Sequence, residues 1–365
     1  MRIRFGVSDQ HISGFTAELL ATMDYLHQTT AESIALLAQI RQFNPYFKGY
    51  IFENVRKIPD IGNPADQDAF AQQCLADLQY SQTSDGSFLE HGLKDTAERY
   101  FWNLGYIPVN PRTGVQWTDQ EVRDALVTIV NKVRTVTGKP MVLSGIIDGD
   151  NYLHKEAIYN SMFVAIPADS IIGVECAFHD WVNSSWFSES TWLNGLNMLT
   201  KLQNLGEKAD INTGTLFGMP PGTTAKQMIE FTYCSYMLAF NSDLLSTELA
   251  MSPQDYTDYF LPITKVDYGN AVTNAYVISG THVYARDFQK TKILVNPTET
   301  AYMISLDGKY KMLDGTEVES VTVEPHTGMV LLSELAPPPA PILGWILVPI
   351  IAGGVLLGYL WSRRG

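Results

Sequence analysis

The sequence predicts an α/β protein: a (β/α)8 TIM-type barrel followed by a small antiparallel β domain and a C-terminal transmembrane helix. Three observations carry this expectation. Short apolar runs alternate with amphipathic segments over the first ~260 residues, the length of a (β/α)8 barrel. Short β-branched and aromatic runs separated by turn residues follow. An uncharged stretch of about 20 residues then stands near the end, the length a helix needs to cross a bilayer.

The barrel is expected over residues 1–265. In "AESIALLAQIRQF" the residues Ile34, Leu37, Ile40 and Phe43 share one helical face, and the strand-like "FKGYIF" follows an Asn-Pro pair. In "DQEVRDALVTIVNKVRTV" the same spacing recurs at Val122, Leu126, Ile129 and Val133, with Gly138-Lys139-Pro140 stopping the helix before "MVLSGII". The segment "DAFAQQCLADL" leads to "DGSFLEHG", and "TWLNGLNMLTKLQNL" leads through "GEKAD" to "INTGTLF". The run "QMIEFTYCSYMLAF" carries a last helix and strand. A doubly wound sheet is the alternative, but no Gly-rich fingerprint follows the first strand.

Residues 266–335 change rhythm. "NAYVISG", "HVYARDF", "KILVNPT", "AYMISLDG", "YKMLDGT", "VESVTVEP" and "GMVLLSE" read as strands of an antiparallel domain. A proline-rich linker at 336–341 precedes the apolar run at 342–361, which Trp345, Tyr359 and Trp361 fit to the membrane interfaces. Arg363 and Arg364 follow it, and the positive-inside rule places them in the cytoplasm and the barrel outside, at the cell membrane. "MRIRFGVSDQ" lacks the apolar stretch of a signal peptide. A start elsewhere, or a tail anchor facing the cytoplasm, are the two ways to accommodate that.

Composition excludes some chemistry. A net charge of −14 and a pI near 4.9 leave no basic surface for a phosphate backbone, so no nucleic-acid partner is expected. Cys74, Cys176 and Cys234 are odd in number and far apart, as core thiols are. The seven histidines form no metal signature, and neither a nucleophile elbow nor a P-loop is present, so no cofactor is called.

Catalytic side chains of such a barrel stand at the C-terminal ends of its strands. Acids occur at four expected ends: Glu53 in "YIFEN", Glu90 in "DGSFLEHG", Asp148 and Asp150 in "LSGIIDGDNY", and Glu175 in "IIGVECAF". Glu90 and Glu175 share a context of a glycine, apolar positions and then the acid. Two facing carboxylates suit glycoside hydrolysis, one protonating the leaving oxygen and the other attacking or activating water. The sequence leaves their order open. Candidate substrate contacts are Glu53, His91, Asp148, Asp150 and Tyr152, with Trp181 and Trp186 as stacking surfaces in the loop after Glu175. Trp192, at helical spacing with Leu196 and Leu199, belongs in the core. Strand-end acids also cap helices or pair with cations, the structural alternative for each.

From "ELLATMDYL" to "GMVLL" the chain resembles the glycoside-hydrolase-like TIM-barrel proteins of bacteria and archaea, a largely uncharacterised family. The resemblance lies in "NPADQDAFAQQCLADLQYSQTSDGSFLEHG", "PVNPRTGVQWTDQEVRDAL", "DSIIGVECAF" and most specifically "VYARDFQKTKILVNPTETAYMISLDGKYKMLDGTEVESVTVEPHTGMVLL". It implies a carbohydrate substrate and carries the family's strand-end acids over to Glu90 and Glu175. Glu90 stands where the family usually has Asp, and little chain separates "YIFENV" from "GNPADQ". The third strand is then abbreviated, or "DGSFLEHG" is itself the third. The leading expectation is a membrane-anchored extracellular glycosidase. A catalytically silent carbohydrate-binding or cell-surface structural protein on the same scaffold is the alternative.

Overall fold

The structure is a computed structural model that describes residues 4–8, 12–28, 31–81, 84–216, 218–241 and 244–333. Eight strands, β1 (Arg4–Ser8), β2 (Tyr25–Gln28), β3 (Lys48–Asn54), β4 (Gly86–Glu90), β5 (Met141–Ile146), β6 (Ile171–Val174), β7 (Lys208–Gly214) and β8 (Leu245–Ala250), form a closed barrel. Every neighbouring pair is parallel, and β1 closes the ring by pairing with both β2 and β8.

The two-residue period of a strand divides each wall into an inner and an outer face. Tyr25, Tyr50 and Val142 fill the barrel interior, with Phe88 and Ile171 against them. Phe52 stacks on Phe88 at 5.5 Å. The outer positions Leu26, Leu89, Leu143, Ile172 and Ile211 join the main core beneath the helices. Helix Asp119–Thr137 illustrates the helix layer. Thr118 and Glu121 form a reciprocal capping box, Gly138 ends the helix at φ 64°, and Val122, Leu126, Ile129 and Val133 are fully buried.

Two expectations about elements are corrected. "KGYIFEN" is a full seven-residue third strand, so "DGSFLEHG" supplies the fourth. "QMIEFTYCSYMLAF" contains no strand; it is one helix, Ala225–Ala239, and the last strand is "LSTELA" beyond it. That helix is covered by the barrel on one side and by the second sheet on the other. Its polar face is therefore missing, and a continuous apolar run cannot be told from a buried strand by periodicity.

The second sheet has six strands in the order Tyr276–Val277, Tyr284–Asp287, Thr291–Asn296, Thr327–Ser333, Tyr302–Lys311 and Glu317–Val323. "AYMISLDG" and "YKMLDGT" merge into one strand whose pairing shifts between Ser305 and Tyr310. Ile293, Val295 and Val330 join the main core, while Val283, Leu294, Ile304, Val323 and Leu331 form a separate cluster. Arg286 fixes the sheet to the barrel. Its guanidinium donates to the carbonyls of Met237, Leu238 and Phe240 at 3.1, 3.0 and 2.5 Å, satisfying the C-terminal end of helix Ala225–Ala239.

The apolar run at 342–361 lies outside the described residues. Among the described residues no helix is long and apolar enough to cross a membrane.

Candidate active site at the barrel mouth

Glu90 is the last residue of β4 and lies level with Asn54, the last of β3. Both continue the inward-facing series begun by Phe52 and Phe88. The Asn54 amide donates to Glu90 Oε2 at 2.7 Å. Beyond Glu90 the chain turns through His91 at φ 61°, a left-handed conformation that a non-glycine residue seldom adopts. The turn lays Leu93 and Lys94 against β5. A Cβ at Gly145 would stand 1.7 Å from the Leu93 carbonyl oxygen, so this approach requires glycine.

The approach positions Lys94. Its ammonium, on a side chain only 4% exposed, bonds Glu175 Oε1 at 2.7 Å. Ser144, on the inner face of β5, donates to the same oxygen at 3.2 Å. Glu175 follows β6 directly, and its backbone N–H bonds the Ile146 carbonyl at 2.9 Å, so the β5–β6 pairing runs past the strand's end. Below it lies a void of about 30 Å³ bordered by Ser144, Asp210 and Asn212, room for a water with polar partners. Asp210 is anchored across the barrel by Tyr25 Oη at 2.5 Å and by Ser246 Oγ at 2.9 Å.

The structure thus brings Glu90 and Glu175 to one mouth, near enough for their charges to interact. Their surroundings differ. Burial holds the Glu90 carboxyl above the usual range; the Arg56 guanidinium opposes this, the Glu175 charge reinforces it, and Lys94 and Lys57 oppose it more weakly. Glu175 has the buried ammonium bonded directly to it. His91 Nε2 lies 3.5 Å from Glu90 Oε1. Burial, and then the charges of Lys94 and Arg56, push its imidazole down to about 3. His91 is therefore a neutral neighbour at pH 7.

The other candidates are placed elsewhere. Glu53 lies on the outer face of β3, its carboxyl facing Asp77 on helix Pro64–Ser81. It is a residue of the helix layer because it is one position out of phase with Asn54. Asp148 stands after β5 but caps helix Gly149–His154, accepting from Asn151 N at 2.7 Å. Asp150 accepts from Thr191 Oγ1 at 2.7 Å and Asn194 Nδ2 at 2.5 Å, tying that helix to Glu189–Leu205. Tyr152 is fully buried, its hydroxyl on Asn160, and has no surface to offer a substrate. Trp186 stacks on His326 at 4.8 Å and meets Phe231 edge-on, so it seals the join between barrel and sheet. Trp181 stays half-buried in the loop after Glu175. Trp192 is core, its indole N–H on Ser235.

Sequence reasoning missed Asn54, Arg56, Lys94 and Ser144. Lys94 carried a legible signal, a cation four residues after Glu90 within "EHGLKD". Ser144 could be found only once the inward phase of β5 was known. Among the described residues no group of three or more His, Cys, Asp and Glu side chains is placed to hold a metal ion.

No protein-family model matches the chain, and no curated protein does. Among solved structures it is similar to the GH51 arabinofuranosidase from Xanthomonas axonopodis pv. citri, at 12% identity over 87% of this chain and 88% of that one, with a TM-score of 0.41. A thermostable mutant of the xylanase Xyn10A from Cellvibrio japonicus matches at 10% identity over 69% of this chain and 87% of that one, TM-score 0.45. The carboxyl transferase domain of Rhizobium etli pyruvate carboxylase matches at 9% identity over 68% of this chain and 40% of that one, TM-score 0.39. Likenesses this distant, spread over unlike chemistries, say nothing about the reaction. The barrel rests on its own strand pairing.

Proposed function

We propose that the protein is a glycoside hydrolase acting on an extracellular poly- or oligosaccharide, with Glu90 as the acid and Glu175 as the nucleophile or base. One observation carries the reading: two carboxyl groups at one barrel mouth have environments that divide the roles. Partial burial raises the Glu90 carboxyl above the usual carboxylate range, with Arg56 opposing and the Glu175 charge adding to it, which suits Glu90 to carry a proton to a glycosidic oxygen. Glu175, its Oε1 bonded by the Lys94 ammonium and the Ser144 hydroxyl, suits the partner that attacks the anomeric carbon or takes a proton from water. His91, neutral beside Glu90, leaves the acid's proton in place.

A second reading has its own support. Lys94 occupies Glu175 Oε1, and the void beneath is only about 30 Å³. That suits a silent carbohydrate-binding scaffold in which the pair is an internal salt bridge. A hydrolysis screen over polysaccharides and aryl glycosides, with Glu175→Gln as control, separates the two. Turnover lost in the variant supports the enzyme, whereas glycan binding without turnover supports the scaffold. The anomer first released, read by NMR, gives the stereochemistry: carboxyl groups ~5–5.5 Å apart imply retention and ~6.5–9.5 Å inversion.

The location belongs to the same proposal. The uncharged run at 342–361 is read as a membrane anchor with Arg363 and Arg364 inside, which sets the barrel where polymeric glycans are. Protease added to intact cells should digest or release the barrel. A barrel protected until lysis reverses the orientation.

A further inference from the structure

A recess flanks the mouth on the Glu90 side. It has a volume of about 390 Å³, inside the ~300–1,000 Å³ range of small-molecule sites. Its lining comes from two loops only, the one following β3 and the one following β4. Both leave the C-terminal ends of their strands, so the recess opens on the same side of the barrel as the carboxylates. Phe101 provides a partly exposed aromatic wall, Tyr100 and Trp117 border the recess from the core, and Ile58 and Val109 are aliphatic lining.

Arg56 joins the recess to the carboxylate pair. It lines the recess, is fixed by bonds from Nε to the Tyr100 carbonyl at 2.8 Å and from a terminal nitrogen to the Arg99 carbonyl at 3.3 Å, and lies over the Trp102 ring at 5.2 Å. Its charge also interacts with both Glu90 and Glu175. The lining thus continues from the carboxylates through one rigidly held guanidinium into an aromatic chamber.

We propose that this recess is a second sugar subsite, holding the residues of an oligosaccharide that extend from the bond bound between Glu90 and Glu175. This rests on the glycosidase reading above. The chemistry selects the ligand class. The Phe101 ring and the Pro59, Pro108 and Pro111 faces suit the C–H face of a pyranose, and Arg56, Asp60 and Asn103 supply donors and acceptors for its hydroxyls. Arg56 and Asp60 are the one cation and the one anion of the lining, so its charge is balanced and a neutral polar ligand fits better than a phosphate or a carboxylate.

The test is calorimetric titration of the full chain carrying Glu175→Gln with cellohexaose, xylohexaose, laminarihexaose and their monosaccharides. At least one hexasaccharide is expected to bind about tenfold or more tightly than its monosaccharide. Adding Val109→Trp, an exposed position on the recess wall, should abolish that gain while the circular dichroism spectrum stays that of the parent. Leu104→Trp, a second exposed lining position, should do the same, so a folding defect in either variant leaves the other to decide. Affinity independent of chain length, a gain that survives both substitutions, or no binding by any of these sugars overturns the subsite. The two readings fail separately. Wild-type turnover of aryl monoglycosides without chain-length dependence leaves the catalytic pair and removes the subsite; length-dependent binding without turnover of any substrate does the opposite.

Discussion

The two faces of the barrel wall at β3 and β4 hold two carboxyl groups one residue apart in register, Glu53 buried and Glu90 half-buried, and they differ in what surrounds them. On the outer face Glu53 is pushed up to about 8 by burial, by a hydrogen bond with Asp77 and by the Asp77 charge; only Lys57 opposes. On the inner face Glu90, beside the opening of the barrel, is also raised by burial, but Arg56 and Lys94 are within reach and Asn54 bonds it directly. Glu53 is tolerated there by keeping its own proton at neutral pH, a solution that serves the fold. Glu90, raised by partial burial but placed among cations and open to the mouth, has surroundings that suit a proton donor. A raised carboxyl marks a functional site only together with access and a partner of unlike charge.

The largest effect that would break this contrast is on turnover. Glu175→Gln or Glu90→Gln should lower kcat about 10²–10⁴-fold, while Glu53→Gln should leave kcat and KM unchanged. In the wild type the rate should fall as pH rises through the Glu90 pKa, which lies above the usual carboxylate range, because the donor is then deprotonated. Glu90→Gln should remove that alkaline limb. If Glu53→Gln costs as much as either, the division into a structural and a catalytic face is wrong.

Lys94 sharpens the comparison. Replacing it with Met leaves the Glu175 carboxylate without its cation in a site little exposed to water, and should destabilise the protein by about 3–5 kcal/mol at pH 7 in urea unfolding. Most of that loss should be recovered in the Lys94→Met/Glu175→Gln double variant, since the uncompensated charge is gone. Equal destabilisation with and without Glu175→Gln would mean that Lys94 acts through packing and not through the pair.

The sequence made the two layers legible where their periods were clean. Helix Asp119–Thr137 could be read from its apolar spacing and its glycine stop, and Glu90 and Glu175 could be picked as strand-end acids because each follows a short apolar run. What remained hidden is phase. A strand shifted by one residue exchanges its faces, so "YIFEN" offered Glu53 while the structure turns Asn54 inward. Contacts between distant loops were also hidden. The Lys94–Glu175 bond spans 81 residues and depends on the bare backbone of Gly145, which no local pattern announces. Trp186 and Tyr152 showed the opposite failing. Their residue types suited sugar binding, and only packing reveals that one closes the join between sheet and barrel and the other is core.

The smallest effect expected is one of pH on stability, and it belongs to the outer face alone. The Glu53 carboxyl has an ordinary value of 4.5 in the unfolded chain and about 8 in the folded one. Between these values folding takes up a proton. The stability associated with the neutral carboxyl is complete below pH 4.5 and is lost as pH rises through 8. The loss should amount to a few kcal/mol between about pH 5 and about pH 8.5. Glu53→Gln keeps a neutral hydrogen-bonding group beside Asp77 and removes the ionisation, so its urea midpoint should vary less over that range than the wild type's. Groups away from Glu53 titrate alike in both proteins, so the difference between the two pH curves reports this site. Parallel curves would show that Glu53 is ionised in the folded protein at neutral pH, and the contrast between the faces would then rest on access alone.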